Sequence, residues 1–184
     1  MERFRSRRWK AGRTLVLVAV LLHGAGMADG TAARAVGGLC DGAAASTPAF
    51  DASGQMGPAV IDGTGGDDVI IGSDGDDTID AEGGNDTICG NAGDDSLDGG
   101  PGDDVLDGGP GDDVLAGGAG GDTLVGGSGD DRLSGEAGFD KLFGGPGDDL
   151  LVGNDDQDLD KLYGESGFDT CWFGAGDGGE GCEF

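Results

Sequence analysis

The sequence predicts an all-β fold: a parallel β-roll solenoid of nonapeptide repeats, closed by a cap at each end. Three observations predict it. Ten consecutive nonapeptides run without a gap from Gly63 to Val152, and self-similarity at a short fixed period is the mark of a stacked coil. Within that frame position four is always Gly, position six always Asp and position eight always Ile or Leu. From Val36 onward 35 acidic residues face only Arg132, Lys141 and Lys161, a balance of −32 over 149 residues of which just 29 are Leu, Ile, Val or Phe. Such a composition does not fold by apolar burial alone, so a cation must enter the account.

The chain opens differently. Six basic side chains lie within residues 1–13, an apolar run follows from Leu15 to Leu22, and small residues continue through Ala35. That three-part layout is a secretory signal peptide, residues 1–35, with cleavage after Ala28 or, preferred, after Ala35. The apolar run is well short of the roughly 20 residues a membrane span requires. Ser6-Arg7-Arg8 carries the arginine pair of a twin-arginine signal without the rest of the pattern. The expected location is secreted and extracellular.

Residues 36–62 form an N-terminal segment ending in a degenerate repeat. Residues 54–62 keep the glycine and Ile61 phasing but place Ala59 where Asp belongs, which reads as a metal-free cap over the first coil, as solenoid ends require. The roll itself is expected over residues 63–172. Its clearest units are Gly99-Gly100-Pro101-Gly102-Asp103-Asp104-Val105-Leu106-Asp107 and Gly108-Gly109-Pro110-Gly111-Asp112-Asp113-Val114-Leu115-Ala116. Low-complexity drift would enrich Gly and Asp without holding a frame for 90 residues. Glycines at positions one and four let the backbone turn tightly and approach its neighbour closely. Positions seven to nine then make a very short strand whose position-eight side chain points inward while seven and nine point outward. Two repeats complete one flattened coil, with a turn at each edge.

Stacking such coils brings Asp68, Asp77, Asp86, Asp95, Asp104, Asp113, Asp122, Asp131, Asp140 and Asp149 into columns. Like charges at that spacing repel unless a cation lies between them. The donors are carboxylates and turn carbonyls, which suit several calcium ions: calcium takes six to eight oxygens in flexible geometry, whereas magnesium demands a strict octahedron and sheds water reluctantly. Aspartates two repeats apart, such as Asp68 and Asp86 or Asp77 and Asp95, are expected to share an ion.

The nonapeptides match G-G-x-G-x-D-x-U-x and so resemble the RTX (repeats-in-toxin, haemolysin-type) calcium-binding repeat. The resemblance runs through residues 63–152 and, with one irregularity, to about residue 172. It implies a parallel β-roll that is disordered without calcium and folds on meeting it outside the cell. Family members usually leave by a one-step channel that reads a C-terminal signal, and the N-terminal signal here departs from that.

Two extra residues between Gly153 and Gly164 break the frame, which resumes at Asp160-Lys161-Leu162-Tyr163 and ends with Asp169 at position six and Cys171 at position eight. Asp160 and Asp169 complete the set of expected ligands. Residues 173–184 read as a C-terminal cap, with Trp172, Phe173 and a disulfide as the lid. Four cysteines in an exported chain indicate disulfides. Of the three pairings, Cys40–Cys89 and Cys171–Cys182 are favoured as local staples.

Other chemistries find no support. The acidic balance excludes nucleic acid or an anionic membrane as direct partner. The sole His is His23 and no C-x-x-C occurs, which argues against zinc. Asp156, Asp158 and Asp160 imitate an EF-hand start, but Lys161 and Gly167 replace the Gly and closing Glu. Gly174, Gly176 and Gly179 make a G-x-G-x-x-G string without its strand–helix context. A carboxylate-pair glycosidase is set aside because the position-six acids are committed to metal and no catalytic domain precedes the roll. The expectation is a non-catalytic calcium-binding protein. The alternative is a calcium-stiffened adhesin or matrix scaffold with a sticky outer face near Arg132, Lys141 and Phe143. The outward positions are too mixed for an ice-binding ladder.

Overall fold

A computed structural model describes residues 49–52, 57–154, 158–174 and 178–182; the segment expected to be a signal peptide and Cys40 lie outside them. Among the described residues all regular structure is strand. One sheet contains, in spatial order, β1 (Ala49–Asp51), β3 (Val69–Ile71), β5 (Thr87–Cys89), β7 (Val105–Pro110), β9 (Thr123–Ser128), β11 (Lys141–Pro146), β13 (Lys161–Ser166) and β15 (Gly178–Glu180). The other contains β2 (Val60–Thr64), β4 (Thr78–Glu82), β6 (Ser96–Pro101), β8 (Val114–Ala119), β10 (Arg132–Ala137), β12 (Leu150–Asn154) and β14 (Thr170–Phe173). Successive strands alternate between the sheets and every pairing is parallel, as in Val105↔Thr123 and Ser96↔Val114. This is the β-roll that the nine-residue period predicts.

The apolar core is a single stack of position-eight side chains. Ile70, Ile79, Ile88, Leu97, Leu106, Leu115, Leu124, Leu133, Leu142, Leu151 and Leu162 are all buried and form one cluster with Ala81. Ile61 flanks the stack at one end, and Cys171 and Phe173 at the other. Every coil thus buries two side chains of fixed size, which is why position eight admits only Ile or Leu.

Most of the strands are longer than three residues. β7 continues from Val105-Leu106-Asp107 through Gly108-Gly109-Pro110, and Gly109↔Gly127 and Pro110↔Ser128 stay in register. β4 likewise continues through Ala81, with Thr64↔Glu82 in register, so the extension does not depend on glycine at position one. The turn shrinks to positions four to six. Even there the ladder persists, since the N–H of Gly102 donates to the Ala119 carbonyl at 2.8 Å and that of Val105 to the Asp86 carbonyl at 2.9 Å.

The break after Gly153 is absorbed at one turn. Beyond it the register offset changes from 18 to 20 residues, with Lys141↔Lys161 and Leu150↔Thr170. At the C-terminal end Cys171 and Cys182 are bonded with Cα atoms 5.7 Å apart. Phe173 packs against the core and its ring lies over Gly179, whereas Trp172 is 66% exposed. Of the two aromatics Phe173 alone turns to the core, and Trp172 sits at an outward-facing strand position. Cys89 is also disulfide-bonded, to a partner outside the described residues.

Candidate metal centre

All twelve aspartates predicted as ligands (Asp68, Asp77, Asp86, Asp95, Asp104, Asp113, Asp122, Asp131, Asp140, Asp149, Asp160 and Asp169) are buried, none more than 2% exposed. They are the final turn residue before each strand, held there by the paired backbone on both sides. Their carboxylates form two columns, one per edge, joined coil to coil. The N–H of Asp86 donates to Asp104 Oδ1 at 2.7 Å, that of Asp104 to Asp122 Oδ1 at 2.8 Å, and that of Asp122 to Asp140 Oδ1 at 2.8 Å. On the opposite edge Asp77, Asp95, Asp113, Asp131, Asp149 and Asp169 are linked in the same way. The frame break is bridged too, since Asp140 N–H donates to Asp160 Oδ1 at 2.9 Å.

Beyond the first coil both columns leave carboxylate oxygens over. Oδ2 of Asp86, Asp95, Asp104, Asp113, Asp122, Asp131, Asp149 and Asp169 is buried and accepts no hydrogen bond from the protein. A buried charged oxygen without a partner carries a large desolvation cost, so its regular recurrence calls for a cation. Main-chain oxygens converge on the same spaces. A Cβ on Gly99 would lie 2.6 Å from Asp104 Oδ2 and 2.7 Å from the Gly117 carbonyl oxygen. Cβ atoms on Gly102 and Gly118 would collide with the carbonyl oxygens of Gly84 and Gly100. Position one is thus glycine because the position-six carboxylate fills the place of its side chain, a reason that turn geometry alone does not supply.

Among the described residues no three His, Cys, Asp or Glu side chains gather into a cluster. An ion here would be held by carboxylates together with carbonyls, the all-oxygen mixture that fits calcium rather than zinc. The residues present therefore fit the ion that the repeat implies.

Electrostatics tell the same story. Burial pushes the carboxyls of Asp95, Asp122 and Asp131 up to about 7 and those of Asp104, Asp113 and Asp149 up to about 6. The main-chain hydrogen bond to each opposes the rise, and neighbouring carboxylates add to it, as Asp113 and Asp77 do for Asp95. Without a counter-cation these groups resist ionising.

Position five plays a separate part. Its carboxylates are turned outward and accept from the position-five N–H of the next coil, as Asp94 does from Asp112 and Asp112 from Asp130, at 3.0 and 2.9 Å. Three residues went unnoticed in the sequence: Thr64, Ser73 and Asn91, whose side chains bond turn oxygens. The available signal was that all three are hydrogen-bonding residues at position two, where five later repeats have glycine.

A family model described as the RTX calcium-binding nonapeptide repeat matches four times, over residues 54–88, 62–97, 90–124 and 125–159. The chain belongs to the RTX calcium-binding repeat family. No curated protein matches it over and above this. Within this RTX chain the matched stretches take in Asp68 through Asp149 of the two carboxylate columns, while Asp160 and Asp169 lie beyond them.

Proposed function

We propose that the protein is an exported, non-catalytic calcium-binding protein that folds into its β-roll on binding several calcium ions. The observation that carries this reading is the recurrent buried Oδ2 of position six, facing main-chain carbonyls and lacking a protein donor. Bound calcium supplies the positive charge that allows these carboxylates to be buried side by side. The chain's own residues do the rest. Asp86 through Asp169 present carboxylates from both edges, glycines at position one leave room for them, and the Ile/Leu stack holds consecutive coils in register.

Export rests on the basic, apolar and small-residue order of residues 1–35 and on the disulfide chemistry of Cys89, Cys171 and Cys182. Extracellular modules bind calcium at roughly 0.1–1 mM, a range in which arrival outside the cell itself triggers folding.

The scaffold alternative has one observation in its favour. On the outer face of β11 and β13, Phe143 and Tyr163 stack with ring centroids 4.9 Å apart, beside the in-register pair Lys141 and Lys161. A calcium-stiffened adhesin would present such a face.

The deciding experiment is a calcium titration of the full chain followed by far-UV circular dichroism, with magnesium as control. A cooperative rise in strand signal with calcium alone supports the proposal. A chain already fully folded in chelator overturns it.

A further inference from the structure

The same nonapeptide adopts two turn conformations in this molecule. From the third repeat onward, position two is left-handed, with φ of 68° at Glu82, 79° at Asn91 and 86° at Gly100, and position four is positive as well, 131° at Gly84 and 119° at Gly93. Thr64 and Ser73, at position two of the first and second repeats, are not left-handed, and neither are Gly66 and Gly75. Their N–H groups point at the position-six carboxylate instead. Thr64 donates to Asp68 Oδ2 from both its N–H, at 2.7 Å, and its Oγ1, at 3.0 Å. Ser73 N–H donates to Asp77 Oδ2.

The Ser73 hydroxyl is fully buried. Its Oγ lies 2.8 Å from Asp77 Oδ1, 2.8 Å from the Gly57 carbonyl oxygen and 3.3 Å from the Gly75 carbonyl oxygen. It stands amid the carboxylate and turn carbonyls that face one another between coils. The N–H of Ala59 donates to Asp77 Oδ1 as well. Both oxygens of Asp77 are therefore bonded within the protein, unlike those of Asp95 and Asp113 on the same edge. The coil beneath contributes Ala59 and no carboxylate. One negative charge met by three protein donors leaves little for a dication to neutralise, and the hydroxyl occupies the space.

We propose that the first turn on the edge that carries Asp77 is closed by a hydroxyl in place of an ion: Ser73 holds Asp77, so this N-terminal turn is metal-free and folded before calcium arrives. Asp68, by contrast, bonded by Thr64 through Oδ2 alone, keeps a buried Oδ1 without a partner. The later repeats, which lack these donors, stack on the Asp77 turn as calcium binds. The cap is thus one coil deeper on that edge than Ala59 alone indicates, and the roll has a fixed end from which to grow. Ser73 is a positioning residue: it acts through the Asp77 carboxylate.

This inference rests on the proposed calcium-dependent folding, and one experiment separates the two. Calcium bound per full chain is counted by equilibrium dialysis for wild type, Asp77→Asn and Asp113→Asn. Asp113→Asn is expected to lose at least one ion and Asp77→Asn none. A loss with Asp77→Asn equal to that with Asp113→Asn overturns the inference, whereas no calcium on the wild type overturns the function proposed above. Amide hydrogen exchange in chelator supplies the second readout. Amides of residues 60–64 and 78–82 are expected to be protected while those of 96–137 exchange freely, and Ser73→Gly should abolish that protection without changing the calcium-loaded pattern. Equal exchange of both regions in wild type contradicts a preformed first coil.

Discussion

The main-chain N–H of Asp95 donates to Oδ1 of Asp113, eighteen residues later, at 2.7 Å, while Oδ2 of Asp113 is buried with no protein donor. One carboxylate thereby ties two coils together through one oxygen and offers the other to a cation. The two oxygens have different consequences when the residue is changed.

Asp113→Asn keeps an acceptor for the Asp95 N–H but removes the charge. It is expected to destabilise the calcium-loaded roll by about 1.5–3 kcal/mol, the scale of a hydrogen bond to a charged group, and to raise the calcium midpoint. Asp112→Asn is the control. Its Oδ1 accepts from the Asp130 N–H at 2.9 Å, yet the residue lies at an outward turn position, and the amide oxygen preserves that bond. Calcium titrations followed by circular dichroism should show a large shift for the first variant and a small one for the second. Equal shifts would mean that position five also holds the ion.

The sequence made the roll legible because its frame is enforced at three positions by three independent demands: backbone clearance at the glycines, charge at Asp, and side-chain volume at Ile or Leu. It also announced the columns of Asp68 through Asp169, since a fixed period of two repeats per coil leaves no other arrangement. What it concealed was conditional on local geometry. Whether position two is left-handed at Asn91 or closed over a carboxylate at Ser73 depends on which coil lies beneath, and no single repeat encodes that. The outward placement of Trp172 next to the inward Phe173 follows strand alternation, which the aromatic composition alone obscures. The Cys171–Cys182 staple was readable from its short separation. Most strands run past position nine, through Ala81 in β4 as well as through Gly108 in β7, a property of backbone pairing that a side-chain pattern does not display.

Gly99→Ala tests why position one is glycine. The added Cβ would stand 2.6 Å from Asp104 Oδ2 and 2.7 Å from the Gly117 carbonyl oxygen, displacing two oxygens of the candidate metal centre. Gly65→Ala, at a position with nothing within 4 Å of the new atom, isolates the general effect of replacing glycine. The first variant is expected to weaken calcium binding by roughly tenfold, about 1.4 kcal/mol, and the second to stay within about 0.5 kcal/mol of wild type, as surface changes do. Isothermal titration calorimetry reads both.

Removing the Cys171–Cys182 bond by paired serine substitution frees the last coil from its closing segment. The bond spans 11 residues of sequence, a loop whose closure contributes about 2–3 kcal/mol through the unfolded chain. Chemical denaturation of the calcium-loaded protein should show a loss of that size. Leu115→Ala, in the middle of the core stack and 1% exposed, should cost about 2–5 kcal/mol in the same measurement. If the serine pair costs as much as the core cavity, the C-terminal segment does more than cap the stack.

The pH response of the chelated protein should run opposite to ordinary acid denaturation. Asp95, Asp122 and Asp131 have carboxyls raised to about 7, and Asp104, Asp113 and Asp149 to about 6, chiefly through burial, against about 3.9 in an unfolded chain. A group raised on folding binds more protons in the folded state, so its contribution favours folding fully below pH 4 and is lost as pH rises through 6 to 7. In chelator, strand signal should therefore increase as pH falls from 8 toward 4, protons taking over the neutralising part of the cation. With calcium present the same acidification weakens the ion's hold, because protons and calcium compete for one set of oxygens. Circular dichroism against pH, with and without calcium, checks both limbs. A chelated protein that gains no strand signal on acidification would show that the columns owe their stability to coordination geometry and not to charge neutralisation alone.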